Sequence, residues 1–279
     1  MQQLHISTIK MFLDQSFKED FGINGDITSN SVIDPTNEAA FKITSREDLI
    51  ICGTNIAEYF FCHYSTLQYN IHHNDSETVK QGEVIMSGYG NAREILILER
   101  IILNYLQLLS GVSTLTSNYV SKTIGTKAKI CDTRKTVPML RALQKYAVRC
   151  GGGYNHRSSL DSSILIKDNH ISICGGVAPA LKKAKLSNQH YTKIEIECDR
   201  IDQVKEAIAE GVDIIMLDNM SIDEVREAVN IINNRAIIEV SGGVTLETAG
   251  EFAKTGIDII SVGRLTHSAR AVDIGLDMD

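Results

Sequence analysis

No two of the six cysteines in this 279-residue chain are spaced as CxxC. That absence argues against a zinc knuckle or a dithiol redox motif. Most of the cysteines sit in apolar or glycine-flanked runs, where a free thiol acts as a small hydrophobe, so a reducing compartment is expected. The N-terminal stretch MQQLHISTIKMFLDQSFKEDFG lacks the apolar run of a signal peptide. The longest apolar stretches fall short of a membrane span, and a cytoplasmic protein with no membrane partner is expected. Positive charge is in deficit: 28 Lys and Arg against 35 Asp and Glu give a net charge of -7. A nucleic-acid surface needs a basic face over much of a domain, so no nucleic-acid partner is expected.

Against that background one segment is basic. Between Asp132 and Asp168 stand Arg134, Lys135, Arg141, Lys145, Arg149, Arg157 and Lys167, opposed by three aspartates, for a local charge of +4. A cationic island in an acidic chain suggests a pocket for a small polyanion.

The rest of the chain supplies the frame. Residues 4–20 have the apolar spacing of a short amphipathic helix. Gly22 to Ser29 reads as a turn, in which Thr28 or Ser29 could cap a following element. From Glu38 to Arg93, short alternating segments (AAFKITS, LIICG, LQYNIHH, EVIMSGYG) read as strands, with a hairpin through Gln81-Gly82 and a helix at NIAEYFFCHY. Asn91 to Ile124 reads as a long helix, apolar on nearly all sides. Within it Arg100 either pairs with a nearby acid such as Glu99 or points into an anion site. After Thr126 the pattern alternates strand and helix. Strands are expected at 127–131, 163–167, 193–197, 213–217, 236–240 and 258–262. Helices are expected at 138–148, with Pro138 in the first turn, and at 178–185, 200–209, 222–232 and 246–254. Such alternation implies parallel βαβ units, here a barrel-like α/β domain with fewer than eight units.

Working groups of α/β barrels lie just past the C-terminal ends of the strands. All six ends here are polar: Asp132-Thr133-Arg134-Lys135, Lys167-Asp168-Asn169-His170, Glu195 to Cys198, Asp218-Asn219, Ser241-Gly242-Gly243 and Gly263-Arg264. Glu195 and Glu197 alternate with isoleucines, so they share one face, unless one of them bridges to Lys167 or Lys193. The Gly-rich turns at SGGV and VGRLTHS offer backbone N–H groups to a phosphate. Arg134, His156 and Arg157 offer charge-assisted bonds to carboxylates or phosphates. No nucleophilic triad is visible.

Several of these segments together carry a resemblance. DTRKT, KYAVRCGGGYNHR, LIKDNH, LERIILNYLQLLSGVST, IEIECD, IIMLDNM, EVSGGV and ISVGRLTHSA resemble quinolinate phosphoribosyltransferase over nearly the whole chain. Tyr154, where the family often has His, and residues 48–51 depart from its pattern. The resemblance implies an N-terminal α+β sandwich over residues 1–124, to which part of the C-terminus can return. It also implies an open, TIM-like α/β barrel of about six to seven strands over residues 125–279. It further implies transfer of phosphoribosyl from 5-phosphoribosyl-1-pyrophosphate to quinolinate, yielding nicotinate mononucleotide, pyrophosphate and carbon dioxide in NAD biosynthesis. Magnesium would accompany the pyrophosphate, with its protein ligands left open.

Lys135, Lys167, Glu197 and Asp218 are the catalytic residues so implied. Arg134, Lys135, His156 and Arg157 would surround the dicarboxylate, and Thr133 would also bind substrate. Lys167, Glu197 and Asp218 would lie near the phosphoribosyl portion. Ser241, Gly242, Gly243 and Gly263 would hold its 5'-phosphate, and Ser261 and Val262 would also bind substrate. Arg100 would reach quinolinate from the neighbouring subunit of a homodimer, with a hexamer as the larger assembly. The competing readings are a nicotinate-specific phosphoribosyltransferase, a non-catalytic phosphometabolite binder, and a Schiff-base aldolase using Lys167.

Overall fold

The structure, a computed structural model, describes residues 4–278 and divides into two units. The first comprises Met1–Ser117, Ala142–Gly152 and Ser268–Asp279; the second comprises Asn118–Arg141 and Gly153–His267. A linear division at residue 124 therefore differs in two respects: residues 118–124 group with the second unit, and residues 142–152 with the first.

The first unit opens with helices α1 (Ile6–Phe21) and α2 (Ile27–Val32) and strands β1 (Glu38–Ser45) and β2 (Leu49–Ile50). Helix α3 (Thr54–Tyr64), strands β3 (Gln68–Ile71), β4 (Thr78–Val79) and β5 (Val84–Asn91), and helix α4 (Ala92–Ser121) follow. Where a turn is expected after Gly25, α2 forms instead. Its cap is Asp26, which accepts the Ser29 N–H at 3.0 Å. The expected hairpin at Gln81-Gly82 is a turn whose two flanking strands find other partners. β4 pairs with β2, while β5 lies between β1 and β3. Alternate burial of Phe41, Ile43 and Ser45 gives β1 its inward face.

Helix α4 is long and apolar enough to cross a membrane by length and composition, yet 61% of its most apolar window is buried inside the protein. Charged interruptions hide that window from a count of unbroken apolar runs. At mid-helix, Gly111 has no room for a side chain, because a Cβ would lie 2.0 Å from the Arg270 carbonyl oxygen.

The second unit is built on β6 (Lys129–Cys131), β7 (Ile164–Ile166), β8 (Ile194–Cys198), β9 (Ile214–Asp218), β10 (Ile237–Ser241) and β11 (Ile259–Ser261). They form one parallel sheet in the order β6-β11-β10-β9-β8-β7. β6 and β7 are its two edges, so the barrel is open among the described residues. All six expected strands are present within two residues of their expected bounds. Helix α5 (Arg141–Cys150) lies almost wholly in the first unit. It starts three residues later than expected, because Met139 takes a φ of 66° and ends the helical path behind it. Helices α6 (Asp168–Cys174), α7 (Val177–Ser187), α8 (Ile201–Glu210), α9 (Ile222–Ile232), α10 (Ala249–Ala253) and α11 (Arg264–His267) complete this unit. The bounds of α9 are those expected, since Ser221 and Glu224 form a capping box. Strand β12 (Ile274–Met278) returns to pair with β1 in the first unit.

Asp75 organises the start of α3 from a distant loop. Its Oδ1 accepts from Gly53 N, Thr54 N and Thr54 Oγ1, and its Oδ2 from Tyr146 Oη at 2.7 Å. Cys52 and Cys150 lie beside it; with four donors already taken, the carboxylate serves the backbone. Asp75→Ala should lower the stability of the chain by about 2 kcal/mol, measured by urea unfolding.

Candidate active site

Register in the parallel sheet sorts the strand ends into rows. Glu197, Met216 and Glu239 are aligned, and two positions on, Asp218, Ser241 and Ser261 are aligned. All six line one cavity of about 470 Å³ with Thr133, Arg134, Lys135, His156, Arg157, Leu165, Lys167, Asn219, Gly242 and Gly243. A smaller cavity of about 170 Å³ shares Thr133, Lys135 and residues 241–243 and is closed by Val262, Gly263, Arg264 and His267.

The cations reach this mouth from loops that are tied down. Arg141 donates to Thr136 Oγ1 at 3.0 Å and to the carbonyls of Ser158 and Arg134, bracing the loop that carries Arg134 and Lys135. Thr266 Oγ1 donates to the Lys135 carbonyl at 2.7 Å. Arg157 Nη1 donates to Ser163 O at 2.9 Å, and burial followed by the Arg134 charge lowers its pKa. Arg134 Nε is buried with no acceptor. Such a donor is costly unless an anion meets it.

Lys167 Nζ donates to Glu197 Oε2 at 2.8 Å. Asp218, half-buried, has its pKa raised by burial and by Glu197, against the hydrogen bond from Asn219 and the charges of Lys167 and Lys135. Asn219 adopts a φ of 54° and donates its N–H to Ser241 O at 3.0 Å. Its side chain leaves no space at Gly242, where a Cβ would meet Asn219 Oδ1 at 2.3 Å; Gly242 also has a φ of 85°. The backbone can therefore approach a ligand closely here only as glycine.

Beneath the cations lies a buried acidic layer. Glu195 and Glu239 are 3% and 2% exposed. His156 Nε2 lies 3.2 Å from Glu195 and 3.5 Å from Glu239. Ser261 Oγ donates to Glu239 at 2.6 Å. Burial and then the Glu195 charge push the Glu239 carboxyl up to about 7.

Comparison with known proteins places the chain. Residues 26–110 match the family model described as quinolinate phosphoribosyl transferase, N-terminal domain, and residues 112–277 match the one for its C-terminal domain. This chain belongs to the quinolinate phosphoribosyltransferase family. A probable nicotinate-nucleotide pyrophosphorylase (carboxylating) of Bacillus subtilis is 42% identical over 97% of this chain and 93% of its own length. Its namesake in Methanocaldococcus jannaschii is 42% identical over 95% of each. The crystal structure of the nicotinate-nucleotide pyrophosphorylase from Ehrlichia chaffeensis superposes with a TM-score of 0.94 at 41% identity, covering both chains completely. Human nicotinic acid phosphoribosyltransferase, 11% identical with a TM-score of 0.61, shares the fold alone.

In this member of the quinolinate phosphoribosyltransferase family, every sequence-derived site residue except Arg100 lines one of the two cavities. Arg100 is exposed on α4, with its guanidinium 3.6 Å from Glu99. Of the cationic island, Lys145 and Arg149 belong to α5 in the first unit and line neither cavity. The expected alternative for Glu197, a bridge to Lys167, is realised, while Glu195 turns inward to His156. Glu239 escaped the sequence reading. Its signal was alternation with Ser241, which puts both on the inner face of β10. Glu197→Gln should bring the Asp218 pKa down towards the ordinary aspartate range, read by carbon-13 NMR titration of the carboxyl.

Proposed function

We propose that this protein transfers the phosphoribosyl group of 5-phosphoribosyl-1-pyrophosphate to quinolinate with loss of carbon dioxide, giving nicotinate mononucleotide and pyrophosphate. The observation that carries it is one cavity holding Arg134, Lys135, Arg157 and Lys167 opposite Glu197, Asp218 and a Ser-Gly-Gly loop. A dicarboxylate needs at least two cations to replace its water, and planar guanidiniums meet carboxylates through paired N–H groups. The buried, acceptor-free Nε of Arg134 suits that task.

Breaking the bond between C1' and the diphosphate leaves positive charge on the ribose. Glu197 and Asp218 stabilise that charge or grip the ribose hydroxyls, and Lys135 and Lys167 take up charge on the departing diphosphate. Backbone N–H groups of the Ser241 to Gly243 turn and of Gly263 hold the 5'-phosphate, the Val262 N–H being spent on the Cys131 carbonyl at 2.9 Å. Arg134 and Arg157 hold the carboxylates so that the ring nitrogen faces C1'. Once the nitrogen is alkylated the ring is cationic. The electrons of the C2–carboxylate bond then pass to C2, carbon dioxide departs, and a proton takes its place.

Of the two carboxylates at the mouth, Glu197 is engaged by Lys167 while Asp218 accepts from Asn219 through Oδ2, so Asp218 is the carboxylate fitted to magnesium. Bound there with the diphosphate, it would supply charge neutralisation for the leaving group. The protein acts as a cytoplasmic homodimer in which Arg100 enters the partner subunit's cavity.

Arg134→Ala and Lys167→Ala should each lower kcat/KM for quinolinate by about 100-fold or more; near-normal turnover in both would overturn the assignment. Nicotinate in place of quinolinate should release little pyrophosphate, whereas a nicotinate-specific enzyme would reverse that order. Mixing Arg100→Ala with Lys167→Ala should restore activity to about a quarter of wild type, because half of the randomly paired dimers then carry one intact site.

A further inference from the structure

The buried layer beneath the cations has a task that the proposed chemistry does not use. Glu195, Glu239 and His156 bring their ligand atoms within 4.8 Å of one another, as a metal site would. The sense of one hydrogen bond argues otherwise. A histidine that binds metal through Nε2 carries its proton on Nδ1 and donates it. Here Nδ1 of His156 accepts the Arg157 N–H at 2.8 Å, so the proton of the neutral ring sits on Nε2 and points at the carboxylates. Glu195 Oε1 is buried with no donor among the side chains that ordinarily supply one. A proton shared with Glu239 would meet that need, because oxygens of both carboxyls converge on His156 Nε2, at 3.2 and 3.5 Å.

The chain of contacts is then continuous. Ser261 donates to Glu239, His156 Nε2 faces both Glu239 and Glu195, and Arg157 N donates to His156 Nδ1. The His156 N–H is held at 2.9 Å by Asp132 Oδ1, itself fully buried at the end of β6. Residues of four strands or their ends thus converge on one imidazole, and the imidazole fixes the backbone of Arg157.

We propose that Glu195 and Glu239 form a proton-sharing carboxyl pair that locks the His156 ring and thereby aims Arg157 at a carboxylate of the acceptor. The inference rests on the quinolinate reading above. Both glutamates are positioning residues and His156 is the link, since its ring nitrogens are engaged within the protein. A charged pair would be expensive at this depth, and a single shared proton removes that cost. Glutamine reproduces the protonated form at position 239, donating to Glu195 and accepting from Ser261.

Three measurements on the full chain test this. Glu239→Ala should raise KM for quinolinate about tenfold or more while KM for 5-phosphoribosyl-1-pyrophosphate stays within about threefold, and Glu239→Gln should recover most of the loss. In the wild type, KM for quinolinate should rise as pH climbs through neutrality and the pair loses its proton. The groups facing that proton are Glu195 from β8, His156 and Arg157 from the segment before β7, and Ser261 from β11. The alkaline rise should vanish in Glu239→Gln. Nitrogen-15 NMR of the substrate-free protein should show His156 as the Nε2–H tautomer. An Nδ1–H tautomer, an unchanged KM in Glu239→Ala, or an equal rise in both KM values would overturn the inference. Should Glu239→Ala not fold, the tautomer and the alkaline rise still decide. The tautomer is read without substrate, so a wild type that makes no nicotinate mononucleotide counts against the proposed reaction alone.

Discussion

Strands in register within a parallel sheet hold equivalent residues about 4.8 Å apart, and side chains on one face recur every second position. That spacing turns residues up to 130 positions apart into neighbours. Asp218, Ser241 and Ser261 form one row across β9, β10 and β11, and Glu197, Met216 and Glu239 form the row behind it. Slip one strand by a single residue and its whole contribution turns to the outer face. The loops that carry the cations depend on the same frame. Asp132, fully buried where β6 ends, receives the Asn155 side chain and the His156 backbone, so the segment before β7 is anchored to a different strand.

Charge balance within the cavity follows from depth. Near the mouth, Lys167 and Glu197 form an ion pair in which the lysine side chain is 46% exposed, where water shares the cost of each charge. Glu239 in the same row, and Glu195 one row deeper, have almost no water, and burial raises the pKa of the Glu239 carboxyl. One sheet thus sets an ion-paired carboxylate open to water beside a buried carboxyl whose pKa is raised.

Much of this was legible in the chain. Six strands alternating with five helices announced a parallel sheet, and the polar residues that follow each strand marked the working end. Ser221 and Glu224 fixed the start of α9 because a capping box is local chemistry. Other features depend on tertiary context. The cationic island looked uniform along the sequence, yet Arg141 braces a loop and Lys145 and Arg149 belong to the first unit. Helix α5 lies between two strands of the barrel in sequence, and nothing local says that it joins the other unit. The partners of β4 and β5 were set by long-range pairing rather than by the turn between them. Glu239 was hidden because a lone glutamate in an apolar strand is ambiguous until its neighbours are known.

One pairing bears on how the chain is made. β12 closes the edge of β1, and Arg46 meets Asp277 at 2.9 Å across 231 positions of sequence. A ribosome adding about 5–20 residues per second needs on the order of 10–50 s to bridge that interval. Throughout it, one edge of β1 lacks the partner that later covers it, and the entire second unit can emerge and fold in the meantime. Unpaired edges recruit other strands. The nascent chain is therefore most exposed to misassociation through its earliest-made sheet, and a chaperone that shields β1 would act long before the catalytic unit exists.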